Sequence, residues 1–291
     1  MKIAVTGASG FIGHRLCDVA RSRGLGVITL GRSSGERRWD PMTGPAPLAG
    51  ADVVVHLAGD PVASGRWTKS KMARIRDTRV VGTRNLVAGI QAAKPLAFVC
   101  ASAIGYYGDR GNEELTEDSP PGGDFLAGVC REWEAEAAKS GIRTVSVRIG
   151  IVLGPDGGAL RKMLFPFRLG LGGRMGHGRQ WMSWVHRDDL VDLILHAAER
   201  ESLSGPVLGT APRPVTNLEF TKTLGRVLGR WTILPMPRLG ARILLGKVQE
   251  VLFGSQKCLA KRTLESGFAF RHPELEPALR DILSENSSPR A

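Results

Sequence analysis

The chain opens on a short apolar run, Met1-Lys2-Ile3-Ala4-Val5, that passes straight into Thr6-Gly7-Ala8-Ser9-Gly10-Phe11-Ile12-Gly13. Glycines at 7, 10 and 13, with Ile12, Leu16 and Val19 at helical spacing behind them, read as strand, tight turn and helix. Few folds accept that order. Gly7 allows the turn, Gly10 lets backbone approach a ligand, and Gly13 lets the helix pack close to the strand. The helix's unpaired N–H groups and positive end then face an anion, which places a dinucleotide pyrophosphate over Gly7, Ser9, Gly10, Phe11, Ile12 and Gly13.

The end of the next strand, Val27-Ile28-Thr29-Leu30, speaks to which dinucleotide. A site for NAD usually places Asp or Glu there, roughly twenty residues past the glycines, to accept from the ribose 2′-hydroxyl. Between Asp18 and Glu36 there is no acidic residue. Gly31-Arg32-Ser33-Ser34 instead offers a guanidinium and hydroxyls, which suit a 2′-phosphate. NADP(H), held by Arg32 and Ser33, is therefore the expected cofactor; the competing reading of Arg32 is a solvated loop cation.

Further along, strands are expected near 2–6, 26–30, 52–56, 96–101 and 143–149, with helices at 11–23, 68–92 and 125–140. Such alternation predicts an α/β fold, a Rossmann-type doubly wound parallel sheet with helices on both faces. Asp52-Val53-Val54-Val55-His56 and Leu96-Ala97-Phe98-Val99-Cys100 are nearly all apolar, as strands covered on both faces are. After Gly150 the pattern becomes glycine-rich and then helical, with one more strand around 206–210. The expected division is a nucleotide-binding domain over 1–155, joined by a strand near 205–211, and a smaller C-terminal substrate lobe over 156–291. That lobe includes a helical domain at about 241–288, and the tail from Ser284 is expected to be disordered.

Composition narrows the function classes. At 291 residues the chain can bury a large core. No stretch approaches the roughly eighteen apolar residues of a membrane span, and an opening strand is not a signal sequence, so a cytoplasmic protein is expected. Cys17, Cys100, Cys130 and Cys258 lie far apart without metal-ligand spacing, and read as free thiols in a reducing compartment. The net charge of +12 is spread along the chain rather than gathered in a basic run with aromatics. An anionic small-molecule partner is thus preferred over nucleic acid, and no membrane partner is expected.

At the strand ends the sequence resembles the extended branch of the short-chain dehydrogenase/reductase superfamily, which includes nucleotide-sugar epimerases and dehydratases. The resemblance rests on Thr6 to Gly13, His56-Leu57-Ala58-Gly59, Val81-Gly82-Thr83-Arg84-Asn85-Leu86, Ser102 with Tyr107-Gly108, Arg148 with Gly154-Pro155, and Trp184-Val185-His186-Arg187-Asp188-Asp189-Leu190. Arg66-Trp67-Thr68, Gly105-Tyr106-Tyr107-Gly108, Trp133-Glu134 and Gly178 to Trp184 look like an atypical subfamily whose members are labelled epimerase-family proteins. It implies further cofactor contacts from His56, Leu57, Ala58, Gly59, Arg79, Ala101 and Ser102. Many relatives dimerise through the helices expected at 68–92 and 125–140, leaving monomer or homodimer open.

The departure from that superfamily is equally informative. Its enzymes use a Ser with a Tyr and a Lys four residues apart, the ammonium helping the phenol transfer a proton. Only Tyr106 and Tyr107 occur here, and neither is followed by Lys at that spacing. On the matching helix Leu126 stands for the Tyr and Cys130 for the Lys, and Arg79 stands where an Asn often begins the earlier motif. Candidates for the chemistry are Ser102, which would bond a substrate oxygen, with Tyr106, Tyr107 or water as acid, and Cys130, whose bland alternative is a small buried hydrophobe.

Trp67, Arg179, Trp181, Ser183, Trp184 and His186 are expected to wall a substrate cleft, since the segment around Trp181 lacks core periodicity. Arg174, Arg179 and Arg187 would favour an anionic substrate. No metal centre is expected from His177, His186 and His196, which lack an accompanying carboxylate pattern. Two main functions emerge: an NADP(H)-dependent oxidoreductase or epimerase-like enzyme, and a catalytically silent NADP(H)-binding sensor or scaffold. A nucleic-acid role would rest on charge alone.

Overall fold

A computed structural model describes residues 1–232 and 254–285. The expected helical domain at about 241–288 and the tail from Ser284 therefore lie partly outside the described residues. In chain order come β1 (Lys2–Thr6), α1 (Phe11–Ser22), β2 (Gly26–Gly31), β3 (Arg37–Arg38), β4 (Val53–His56), α2 (Lys69–Ala93) and β5 (Ala97–Ala103). A 3-10 turn at Ile104–Tyr107, β6 (Glu114–Leu115), α3 (Phe125–Ala137), β7 (Arg143–Ile149), β8 (Ile151–Leu153), α4 (Gly158–Arg168), β9 (Trp181–Met182) and β10 (Trp184–His186) follow. The remainder is α5 (Arg187–Glu199), β11 (Gly205–Gly209), β12 (Val215–Thr216), α6 (Asn217–Leu228), β13 (Lys257–Cys258), α7 (Lys261–Glu265) and α8 (Leu275–Glu285).

Seven strands form one parallel sheet in the order β11-β7-β5-β4-β1-β2-β3. The order reverses at β1, so a crevice opens outside the carboxyl ends of β1 and β4, where such folds bind ligands. Each face is sealed by its own core. Leu16, Cys17 and Ala20 of α1 and Leu190, Ile194 and Ala197 of α5 pack with Val53 and Val55 on one side. Leu86, Val87 and Ile90 of α2 and Trp133 and Ala137 of α3 pack with Val54 and Phe98 on the other. β4 is buried along its whole length, which is why its sequence reads as an unbroken apolar run ending in His56.

The second lobe has a separate core of Leu160, Leu164, Phe167, Met182, Trp184, Phe220, Leu224, Leu279 and Ile282. α6 starts on a capping box made by Thr216 and Glu219 and ends on left-handed Gly229. Two elements beyond residue 155 join the parallel sheet: α5 packs on it, and β11, within the strand expected near 205–211, extends it beside β7. All four cysteines are free and buried. Among the described residues no helix is long and apolar enough to cross a membrane.

Candidate functional site

The site begins at the glycine turn. Gly7 has φ +71°, and a Cβ there would lie 2.8 Å from Ala58 N and Leu57 C, so both conformation and the neighbouring strand end require glycine. Gly10 caps α1 with no side-chain hydrogen bond, and the first turn carries no acidic residue. The backbone N–H groups of that turn are left for an outside acceptor, so the turn fits a pyrophosphate. Phe11 follows directly, its ring lying where Cβ atoms on Gly154, Gly157 and Gly158 would stand; Ser9 and Gly10 are exposed beside it.

His56 supports this turn from below. Its Nδ1 lies 2.6 Å from Thr6 Oγ1, which also accepts from Ala58 N at 3.3 Å. Burial, and secondarily the Arg79 charge, push the His56 imidazole down to about 3, so it stays neutral. It is fully buried between Trp39 and Trp133 and holds the Leu57-Ala58-Gly59 backbone instead of reaching a ligand. Arg79 lies against Gly59, 3.1 Å from where a Cβ would stand, and donates to the Asp60 and Ile75 carbonyls at 3.0 Å. Burial pulls its guanidinium below the usual arginine range, with Cys130 and Asp60 opposing.

Arg32 and Ser33 project, exposed, from the turn after β2. That turn is tight: a Cβ on Gly31 would lie 2.0 Å from Ser34 O, and Glu36 N donates to Thr29 Oγ1 at 2.9 Å. β3 brings Arg38 alongside, its Nε 3.5 Å from Arg32 O. Two arginines thus stand at the strand end where an acidic residue would read NAD.

At the end of β5, Ala101 and Ser102 are buried, and the Ser102 hydroxyl donates to Glu134 Oε1 of α3 at 2.6 Å. Arg148 of β7 forks the same carboxylate, Nε to Oε1 at 2.9 Å and Nη2 to Oε2 at 2.8 Å. Its Nη1 donates to the Tyr107 hydroxyl at 2.9 Å and to Glu117 O at 2.8 Å. Tyr107 in turn donates to Thr116 O at 2.9 Å. Tyr107 is fully buried with its hydroxyl committed on both sides, and burial raises its pKa above the usual phenol range. It is a structural residue here, which corrects the expectation that it supplies an acid. Tyr106 stacks on the Arg148 guanidinium at 3.5 Å and is only half-buried. Burial pushes the Cys130 thiol up to about 12, and the nearby Glu134 charge adds to it, so Cys130 remains a thiol. Buried and held as a thiol, Cys130 fits a small buried hydrophobe better than a catalytic group.

Glu134 and Arg148 are the two residues the candidate site lacked. A signal existed: Arg148 is a charge inside a strand covered on both faces, and such a charge must find a buried partner.

The expected cleft walls divide. Trp181 is half-buried, donates from Nε1 to Asn112 Oδ1 at 3.0 Å, and borders a cavity of about 610 Å³ with Asp109, His177, Arg179 and Gln180. Ser183 and Trp184 do not face it. Ser183 is fully buried, donating to Gln256 O at 2.7 Å and accepting from Cys258 N at 2.9 Å. Trp184, also fully buried, donates to Arg213 O at 3.1 Å. Trp67 is buried against Phe125 with its indole N–H on Val62 O. Ser183 and Trp184 pack the interior because β9 and β10 are true strands, which the glycine-rich surroundings disguised, whereas Trp67 is drawn in by Phe125 and the Val62 carbonyl.

His186 caps α5, its Nδ1 accepting from Asp188 N at 3.1 Å, and burial pushes its imidazole down to about 4. It meets neither His177 nor His196 but stacks on His272 at 3.9 Å beside Asp281. An Nδ1 that accepts leaves Nε2 carrying the proton; Nε2 lies 3.4 Å from Asp281 Oδ2 with no hydrogen-bond partner among the described residues, and Asp281 is a carboxylate that the spacing of the histidines did not reveal.

A doubly wound parallel sheet and a glycine turn opening onto a bare helix N-terminus define a dinucleotide-binding protein with a Rossmann-type fold. The chain belongs to the NAD dependent epimerase/dehydratase family, whose model matches residues 3–207. Residues 236–282 match a domain of unknown function. The human epimerase family protein SDR39U1 is 37% identical over 294 residues, 98% of this chain and 100% of its own length. A crystal structure of human SDR39U1 (isoform 2) with NADPH superposes with a TM-score of 0.92 at 35% identity, covering 98% of this chain and 99% of that one. A structure described as the nucleoside-diphosphate sugar epimerase from Corynebacterium glutamicum gives 0.82 at 34% identity, over 98% of this chain and 58% of that one.

Proposed function

We propose that this protein is an NADP(H)-dependent oxidoreductase of epimerase-like type, acting on the carbonyl or carbinol carbon of a small anionic substrate. The cofactor is NADP(H), in keeping with the NADPH bound to the human relative. When bound it supplies or takes up hydride at nicotinamide C4. Gly7 to Gly13 hold the pyrophosphate, Arg32 with Arg38 and Ser33 hold the 2′-phosphate, and Ala58, Gly59 and Ala101 line the path between. Ser102 bonds the substrate oxygen, and Tyr106 or water moves the proton. Arg179 and Trp181 receive the remainder of the substrate. The single observation that carries the reading is Ser102, locked in place at the end of β5 by Glu134. Four buried free thiols support a reducing compartment such as the cytoplasm.

A second reading, a silent NADP(H) sensor, is favoured by the burial of Tyr107 and the lack of a Tyr-x-x-x-Lys pair. Anaerobic incubation of NADPH-loaded protein with carbonyl compounds and sugar nucleotides separates the two. The enzyme reading expects nicotinamide absorbance to fall with one compound, and not in the Ser102→Ala variant. Stable absorbance throughout selects the sensor.

The 2′-phosphate assignment is tested separately. Arg32→Ala is expected to weaken NADPH binding by about tenfold to a hundredfold, the worth of a charge-assisted hydrogen bond, while NADH binding barely changes. Equal losses for both nucleotides would remove Arg32 from the site.

A further inference from the structure

The Ser102 hydroxyl proton already has a destination. Oγ donates to Glu134 Oε1 at 2.6 Å, and Arg148 forks both Glu134 oxygens at 2.9 and 2.8 Å. A carboxylate in such an ion pair offers acceptor sites only, so of the two groups it is the serine that donates. Ser102 is left with lone pairs alone for any further partner.

The arrangement has little freedom to relax. Arg148 is held by four hydrogen bonds and by the Tyr106 ring on its face, and its side chain is 4% exposed. Glu134 stands on α3 one turn beyond Cys130, whose thiol also contacts Ser102 and stays protonated. Cys130, whose sulfur accepts only weakly, and Tyr107, whose hydroxyl is spent on Arg148 and Thr116, are poorer acceptors for the Ser102 proton than the charged carboxylate at 2.6 Å.

We propose that Glu134 is a positioning residue that turns Ser102 into a hydrogen-bond acceptor, so that the substrate binds there through a hydroxyl, as a carbinol, in preference to a carbonyl. The proposal rests on the oxidoreductase reading above and sharpens its substrate class. A serine free to rotate would donate to a carbonyl oxygen as readily as it accepts from a hydroxyl. Here the donating direction is taken, and a carbonyl oxygen meets only lone pairs, which repel it. The hydroxyl member of a redox pair therefore gains a hydrogen bond at Ser102 that the oxo member lacks.

The test uses matched pairs of hydroxy and oxo compounds: glycerol 3-phosphate with dihydroxyacetone phosphate, lactate with pyruvate, and sorbitol with fructose. Dissociation constants are measured for the hydroxyl member on NADPH-loaded protein and for the oxo member on NADP⁺-loaded protein, the two combinations that cannot turn over. Comparing the ratio between wild type and variant cancels the cofactor's own contribution. In Glu134→Gln the charged acceptor is gone and the Ser102 proton is released to point either way. The preference for the hydroxyl member is expected to fall about tenfold, the worth of one hydrogen bond, with the oxo member binding no worse than before.

Glu134→Asp, which keeps the charge, is expected to restore part of the preference. Ser102→Ala is expected to weaken the hydroxyl member and leave the oxo member nearly unchanged. Thermal melts and NADPH affinity of each variant report whether the fold and cofactor site are intact. A purely structural Glu134 would weaken both members together, and an unchanged ratio in protein that binds NADPH overturns the proposal alone. Wild-type protein that binds no NADPH overturns the cofactor reading and this proposal with it.

Discussion

Gly13→Ala is expected to abolish NADPH binding at concentrations where the wild-type protein is saturated. A Cβ at position 13 would lie 2.2 Å from Gly7 O, 2.8 Å from Gly7 C and 2.9 Å from Ala8 Cα. All three are backbone atoms of the turn itself, so no side chain can swing aside. Either α1 lifts from the turn or the turn opens toward the ligand, and both move the first-turn N–H groups away from the pyrophosphate. Overpacking of this kind costs about 1–3 kcal/mol in stability. The affinity loss is set at about a hundredfold or more, because several N–H donors are misplaced together. Fluorescence titration with NADPH checks it. Gly128→Ala on α3, where a Cβ meets nothing within 4 Å, is the control and is expected to be neutral or slightly stabilising. Affinity within a few-fold of wild type in Gly13→Ala would mean that the anion does not sit on α1.

Arg148→Met carries the largest expected loss of stability. The substitution removes four hydrogen bonds and leaves Glu134 a carboxylate facing only Ser102, in a region where both partners are largely buried. Breaking one side of such a pair costs about 3–5 kcal/mol. Chemical denaturation and melting temperature read it directly. The double variant Arg148→Met with Glu134→Leu is expected to recover a good part of the loss, because no charge is then stranded. By contrast, Arg213 pairs with Glu274 in full view of solvent, and Arg213→Ala is expected to change stability by less than about 1 kcal/mol. A small effect of Arg148→Met would mean that the buried pair is not a structural anchor.

What the sequence made legible was what local pattern encodes. The glycine spacing, the helical positions of α1 and the apolar runs of β4 and β5 each lie within one element, and both-face burial writes itself into Val53 to Val55. The Ser102 locus was legible for the same reason, as the end of such a run. What escaped depends on pairing across distance. β9 and β10 have two and three residues, and they exist because β9 pairs with β12 and β10 with β8. A short strand stabilised by a remote partner leaves no periodicity of its own, so Ser183 and Trp184 passed for cleft walls. Ser183 is satisfied by Gln256 and Cys258, more than seventy residues away. Glu134 likewise gains its role only when α3 lies beside β7.

The segment entering β13 is bound to the loop that leaves the Tyr106-Tyr107 turn. Lys257 and Cys258 pair with Glu114 and Leu115, Ser255 N donates to Asp109 Oδ1 at 3.2 Å, and Gln256 Nε2 donates to Gly108 O at 2.9 Å. The two regions that answer to separate family models, 3–207 and 236–282, are thus sewn together at a strand pair. A chain shortened before β13 would leave the edge of β6, Asp109 Oδ1 and Gly108 O without these partners, so the loop beside Arg148 depends for its shape on the far end of the sequence.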